Sequence, residues 1–480
     1  MKSMLLHASF LYSLNKISID MRKHLLSLAV MLTVCTAMVN AQNYKMYDFS
    51  NYEWEDEYGD IYDSMWGIFY KASANGRYAV GADTMYGSGV CFLWSVFEPD
   101  DLTIINNTLL RVSLADVSDE GVIVGSFEVP NPEDPEALGV CYPGWRTADS
   151  EWHQLPVPDN FSEYYATAQE YIEEARAITP DGMYIAGNMH ITQGYKENPL
   201  FGTVESAYVL PCLWTKKADG YELTKVYDEL YKNSKVYKDG AFVDGPDSVT
   251  VQTFMVYDIS DDGNTIVGVN TAGTGGQNPA VIRNGQLYQI FDCGEEEYAD
   301  ELKNFNGGVC NHIDKQGNVY GYYQLKDKSV KFFTLTSNDE LVYHDEFIVC
   351  TTADGKEIPQ SFNGLPYTMS CSDDGSLVVG GSIVSAGFGS VNAPALLWDE
   401  ESSTSIQRPD AEDINVDVDF RGGQLFVNGL YKNATVYDAM GREVAAGGQG
   451  RSFNLASQPS GVYIVKVDTK EGTRTFKIGN

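Results

Sequence analysis

Residues 259–268 read ISDDGNTIVG, and five other stretches repeat the pattern: ASANGRYAVG at 72–81, VSDEGVIVG at 117–125, ITPDGMYIAG at 178–187, IDKQGNVYG at 313–321 and CSDDGSLVVG at 371–380. Self-similarity of this kind marks a repeat architecture. With the central glycine as reference (Gly76, Gly121, Gly182, Gly263, Gly317, Gly375), the residue four places earlier is small or apolar. Three places earlier stands Ser73, Ser118, Thr179, Ser260, Asp314 or Ser372. A second glycine closes each copy, at Gly81, Gly125, Gly187, Gly268, Gly321 and Gly380. An apolar residue, a hydroxyl and then Asx-Gly is the chemistry of a tight turn between strands. The glycine takes positive φ without penalty, and the Ser or Asx side chain satisfies turn N–H groups.

Working outward, the apolar pair after each turn opens the next strand. A third strand follows, ending in an aromatic: CFLW to Trp94, CYPGW to Trp145, PCLW to Trp214 and PALLW to Trp398, with PAVIR around Val281 and KFF around Phe332 in the same place. A fourth β-run comes next, as in GQLYQIF at 285–291. Four strands per unit and six units describe a β-propeller. Spacings between the reference glycines are 45, 61, 81, 54 and 58. The shortest fits a bare blade, so the excess is loop inserted on a face. The reading is an all-β chain with a six-bladed propeller over residues 42–408. A seventh blade is the alternative, hidden near 215–255 or 45–70. The repeated Trp reads as packing between blades.

Composition agrees. The chain has 480 residues, with 45 Gly and 31 Tyr, and is 43% hydrophobic, enough to build a core and too long for one ordinary domain. A net charge of −34 excludes a general nucleic-acid binder, which needs a basic surface. The charge is uneven: residues 42–412 hold 21 basic and 59 acidic side chains, residues 413–480 eight and seven. That break places a domain boundary near residue 410.

The repeat resembles that of secreted bacterial propellers with the pattern S-x-D-G-x-x-V-G…A-x-x-W. It is also similar to the Asp-box of sialidases, although the Trp of that box is here Val or a similar residue and the Gly falls one place early. Asp-boxes are structural turns, so this likeness implies no activity.

The two ends carry an address. Residues 21–41, MRKHLLSLAVMLTVCTAMVNA, have a basic start, an apolar stretch and small residues at Val39 and Ala41, as a cleaved secretory signal requires. Residues 1–41 are therefore read as signal peptide, with Met21 the alternative start. No later apolar run is long enough to span a bilayer. Residues 413–480 alternate as strands of a small β-sandwich. Their Val436, Tyr437, Asp438, Gly441, Val444, Leu455, Gly461, Val462, Tyr463, Ile464, Val467 and Lys477 match the pattern of the C-terminal sorting domain of type IX secretion in Bacteroidetes. The resemblance implies the type IX machinery as partner, export across the outer membrane, and surface attachment or release.

Chemistry is sparse. Four His follow residue 41, at 153, 190, 312 and 344, and none forms a metal pattern; nucleophile elbow, Walker and dinucleotide motifs are absent. Asp258, Ser260, Asp262 and Gly263 imitate part of a calcium loop, but Val269 stands where its Glu belongs; calcium stays unmarked and no cofactor is expected. Cys91, Cys141 and Cys212 recur with the repeat, too far apart to bridge, and read as buried thiols. Residues 161–176, FSEYYATAQEYIEEAR, pattern as an amphipathic helix presenting Tyr164, Tyr165 and Tyr171 beside Glu163, Glu170 and Glu173. Such aromatics can face a ligand, since sugars stack on them. The expectation is a non-catalytic binding module for a glycan or surface protein. The alternatives are a polysaccharide hydrolase with acidic residues at the channel mouth, and an adhesive surface protein.

Overall fold

The computed structural model describes residues 44–56, 59–83, 90–106, 111–134, 137–168, 173–199, 202–228, 234–238, 240–245, 251–272, 276–290, 305–325, 327–386 and 389–399. In the C-terminal part it describes 417–421, 424–428, 431–438, 442–448, 453–455, 458, 462–469 and 472–479. The chain divides into two compact units, residues 1–399 and 400–480. The signal segment lies outside the described residues. Among those described, no helix is long and apolar enough to cross a membrane.

The first unit is a β-propeller. Four of the repeats head separate four-stranded antiparallel sheets, and the third and fourth share one ten-stranded sheet, joined by a parallel bridge between Val209 and Thr253; we label the six repeat units blades 1 to 6 in chain order. Their innermost strands are Gly67–Ala72, Val112–Val117, Glu174–Ile178, Val251–Ile259, Phe305–Ile313 and Tyr367–Cys371. Hydrophobic clusters fill the wedges between neighbours. Val80, Leu93, Leu114 and Ile123 join blades 1 and 2. Val124, Ile185, Met189 and Trp214 join blades 2 and 3. Further clusters join 3 to 4 and 4 to 5.

The ring closes through the N-terminus. Strand Tyr44–Asp48 supplies the fourth strand of blade 6, pairing antiparallel with Gly389–Asp399 from Tyr44↔Asp399 to Asp48↔Ala395. Its Tyr47 joins Phe69, Phe92 and Trp94 of blade 1 and Leu377 and Leu396 of blade 6 in one core. The Trp94 and Trp398 rings meet edge to face at 6.2 Å, so these Trp do pack between blades.

The segments suggested for a hidden blade hold other elements. Residues 215–255 carry the outer strand of blade 3 and a hairpin, Lys235–Lys238 with Ala241–Asp244, on the outer edge of blade 4. An extra radial element does exist, elsewhere. Ile348–Thr351 and Glu357–Pro359 form a two-stranded sheet that packs between the inner strands of blades 5 and 6. Its turn, TTADGKE, is a further copy of the repeat: Gly355 has φ +86°, and Lys356 N–H donates to Thr352 Oγ1 at 3.0 Å. A disulfide ties it to blade 6 through Cys350 and Cys371, whereas Cys91, Cys141, Cys212 and Cys310 are free and buried. The reading of Cys91, Cys141 and Cys212 as buried thiols thus agrees with the structure, and the Cys350–Cys371 bridge is an addition to it. Cys350 sits on the extra hairpin, and that hairpin lies against Cys371.

All six reference glycines have φ between +67° and +80°. In several copies the hydroxyl three places earlier works twice. Ser260 Oγ donates to Asp262 Oδ1 at 2.6 Å and accepts Thr265 N–H at 2.9 Å; Ser372 does the same with Asp374 and Leu377.

Antiparallel order puts these turns on one face of the propeller and the connections that carry the long insertions on the other. The C-terminal unit is a β-sandwich of a three-stranded and a four-stranded sheet. Leu425, Val436, Leu455, Tyr463 and Val465 lie in its core.

Candidate functional site

Five places before each reference glycine stand Lys71, Asp116, Ala177, Asp258, His312 and Ser370. In every blade the inner strand slips register immediately before this residue, between Phe69 and Lys71 in blade 1 and likewise in the others. A bulge inserts one unpaired residue and re-aims the side chain that follows. The result is one side chain per blade around the axis, five of which line a cavity of about 80 Å³ together with turn residues. That volume holds a few waters, far below the roughly 300–1,000 Å³ of a typical ligand pocket.

The ring is charged. Lys71 Nζ on blade 1 reaches Asp258 Oδ1 on blade 4 at 3.4 Å. Asp258 Oδ2 meets His312 Nδ1 at 2.6 Å and accepts Ile313 N–H at 3.1 Å. Burial alone would push the Asp258 carboxyl up, but Lys71, His312 and that N–H outweigh it and hold the group well below the usual range. Asp116 is the opposite case. Its oxygens accept only Val117 N–H at 2.8 Å and Ile178 N–H at 3.0 Å. Burial dominates, Asp258 adds repulsion, Lys71 relieves part of it, and the carboxyl is pushed up to about 6. Burial disfavours the Lys71 ammonium, yet Asp258 and Asp116 hold its pKa above the ordinary value. An ionised carboxylate only accepts, so His312 Nδ1 is the donor in this contact.

At the turn face a second ring surrounds the opening, two places before the glycines. Lys315 pairs with Asp373. The Asp119 and Asp261 carboxyls are both raised, first by burial and then by the Asp373 charge, with Lys315 opposing. Backbone bonds stitch this ring from blade to blade: Asp373 N–H to Ala74 O at 2.8 Å, Asp119 N–H to Pro180 O at 2.9 Å.

This cluster can hold and move protons. Among the described residues no Ser, Thr or Cys lies in hydrogen-bond contact with a nitrogen of His312, so the nucleophile of a triad is missing. The imitation calcium loop is taken apart: Asp258 serves the channel, while Asp262 accepts from Ser260 and Asn264 within its own turn. No group of three or more His, Cys, Asp or Glu among the described residues is placed to hold a metal.

Blade 3 carries the other feature, on the opposite face. Its strands Tyr184–Asn198 and Gly202–Lys217 outrun the inner strand and project as a hairpin. The expected helix over 161–176 is only Glu163–Ala168. Its tail, Glu174–Ile178, is instead the inner strand, buried along most of its length; a slot between two blades overrides the helical propensity of Glu, Ala and Arg. Residues 160–162 cover the edge of the hairpin beyond that strand, Thr192 N–H donating to Asn160 O at 2.8 Å and Ser162 N–H to His190 O at 3.0 Å. Tyr164 is exposed, at 66%. Tyr165 is not a free ligand-facing ring as expected: it stacks on His190 at 4.8 Å and its OH donates to Glu205 O at 3.3 Å. Glu173 is fully buried against His190 rather than on a helix surface. Tyr171 and Glu170 lie outside the described residues. An aromatic that the sequence reading missed, Tyr195, is 71% exposed on the hairpin. It pairs across the hairpin with Glu205, whose carboxylate takes Ser162 Oγ at 2.8 Å. Cross-strand partners share a face, so Tyr195 stands on the helix side.

In the C-terminal unit, Tyr463 is buried, Tyr437 half-buried and Lys477 exposed, on strands Val462–Thr469, Asn433–Asp438 and Gly472–Gly479. Gly441 and Gly461 lie outside the described residues.

No family model matches the chain, and no curated protein matches it in sequence. Among solved structures it is similar to TolB from Acinetobacter baumannii, at 8% identity and a TM-score of 0.35, over 70% of this chain and 63% of that one. A Trypanosoma rangeli sialidase in complex with sialic acid is similar at 8% identity and a TM-score of 0.35, over 91% and 88%. The Dos1 propeller is similar at 10% and 0.26, over 74% and 76%. The architecture rests on the chain's own sheets: a β-propeller followed by a small β-sandwich.

Proposed function

We propose that this is an exported, non-catalytic propeller that binds a glycan through the projecting part of blade 3. The reading rests on one observation: Tyr164 and Tyr195 are both exposed on the same side of a unit held rigid by the Glu205, Ser162 and Tyr165 contacts. Exposed rings on a stiff scaffold suit sugar faces, because little ordering entropy is lost on binding. Export rests on the signal-like residues 21–41 and on the match of 413–480 to type IX sorting domains.

A hydrolase is the second reading, favoured by the carboxyls and imidazole at the axis. Against it stands a cavity too small for a sugar ring.

Affinity electrophoresis of the chain from residue 42 through a polysaccharide panel, with released reducing ends assayed alongside, separates the two. Retardation without release is expected. Tyr164→Ala and Tyr195→Ala should each weaken it about three- to tenfold, the worth of one aromatic contact, without changing stability. Release of reducing ends would establish the hydrolase; no retardation on any polymer would redirect the reading to a protein ligand.

A further inference from the structure

The axial cavity is independent of the blade 3 surface and opens on the other face. Five carboxylates line it, those of Asp116, Asp258, Asp261, Asp314 and Asp373, against the two ammonium groups of Lys71 and Lys315. Two of the five are matched by ion pairs, Asp258 with Lys71 and Asp373 with Lys315. Asp314 is satisfied within its turn by Asn318 and Tyr320. Asp116 differs. It is 6% exposed, faces the cavity, and has no ion-pair partner among the described residues. Lys71, in direct contact with Asp258, is thus the single ammonium shared by two buried carboxylates; a buried carboxylate so incompletely matched is costly, and the cavity lies beside it.

We propose that the cavity binds a primary ammonium group, presented by a small amine or by a lysine side chain, with Asp116 as its counter-ion. His312 and Ser370, on the same ring, line the cavity as well and bring further polar groups beside Asp116 for an ammonium's three N–H donors. The mouth carboxylates Asp119 and Asp261 draw in a cation and repel anions. A calcium ion fits badly, because it needs six to eight oxygens and here Lys71 and His312 already present N–H groups to Asp258.

Binding should follow Asp116 ionisation. The charged groups facing Asp116 are Lys71 from blade 1 and Asp258 from blade 4, and the titratable His312 of blade 5 lines the same cavity. Blade 3 contributes the Ile178 N–H, its Glu174 and Arg176 being paired with each other. Since the Asp116 carboxyl titrates at about 6, affinity should be full near pH 7.5 and fall about tenfold by pH 5, where roughly one molecule in ten keeps the charge.

The test is calorimetric titration of the full chain with n-butylammonium chloride, with n-butanol and calcium chloride as comparisons. Expected are saturable butylammonium binding at pH 7.5, about tenfold weaker at pH 5, no butanol binding, and loss of binding in Asp116→Asn. The pH arm uses unmodified protein, so it stands even if the variant misfolds. An N-acetyl-Gly-Lys-Gly-amide peptide, whose only ammonium is the lysine side chain, distinguishes the sources: binding of the peptide identifies a lysine side chain, and binding of butylammonium alone a free amine. No saturable butylammonium binding, binding unchanged in Asp116→Asn, or calcium binding in its place would overturn the proposal.

Discussion

Replacing Lys71 by Met should unmask what the axial ring costs. Lys71→Met keeps the length and apolar stem of the side chain and deletes the ammonium, leaving Asp258 and Asp116 without the cation that reaches across the channel. Breaking a buried pair by removing one partner costs about 3–5 kcal/mol. Asp258 keeps Ile259 N–H at 3.0 Å, Ile313 N–H and His312, so the lower end, about 3 kcal/mol, is expected at pH 7.5. The sign with pH follows. In the parent, the folded Asp258 carboxyl titrates below its unfolded value, so its stabilisation is present above about pH 4 and lost as pH falls through the folded value. In the variant burial prevails, the folded value moves above the unfolded one, and the deficit shrinks as acid neutralises the group. The double variant Lys71→Met/Asp258→Asn should regain about 2 kcal/mol, giving a coupling that additive sites lack.

Urea unfolding followed by tryptophan fluorescence reads this cleanly. All seven Trp precede residue 400, so the signal reports on the propeller alone. A Lys71→Met deficit below about 1 kcal/mol, or one that does not shrink between pH 7.5 and 5, would refute the argument that the pair is buried and mutually dependent.

Two further outcomes follow from the turns and the extra hairpin. Gly263→Ala should destabilise by well over 1 kcal/mol, because φ is +71° and a Cβ would sit 2.6 Å from the Tyr184 ring, whereas Gly355→Ala at φ +86° meets nothing within 4 Å and should cost only about 1 kcal/mol of backbone strain; equal costs in urea unfolding would refute the packing account. Reducing Cys350–Cys371, whose sequence separation is 21, should lower propeller stability by about 3 kcal/mol, read by the same fluorescence with and without reductant; no change would mean the bridge does not hold the hairpin.

How much of this was legible in sequence depends on what each residue answers to. The turn glycines were legible because a local constraint, positive φ between two strands, admits few residue types. Each reference glycine therefore marks one blade. The extra hairpin was missed although TTADG carries the same grammar. Its strands are too short to show a period, and it falls between two copies already assigned. The closing strand Tyr44–Asp48 could not be seen locally, since its partner lies some 350 residues on and only ring closure brings them together. The 161–176 segment misled for the same reason in reverse, helical by propensity and strand by tertiary demand.

The axial ring is the most instructive miss. Its column of Lys, Asp, Ala, Asp, His and Ser sits beside an aligned apolar column, and every copy was already in register. What hid it is that the column has no common chemistry. A turn needs the same residue in every blade, so repetition reveals it. A charged ring on a pseudo-symmetric axis needs different residues, because a cation on blade 1 must face an anion on blade 4 and a histidine on blade 5 must lean on that same carboxylate. In such a fold, conserved columns describe the scaffold, and the variable polar column next to them is the place to look for the site.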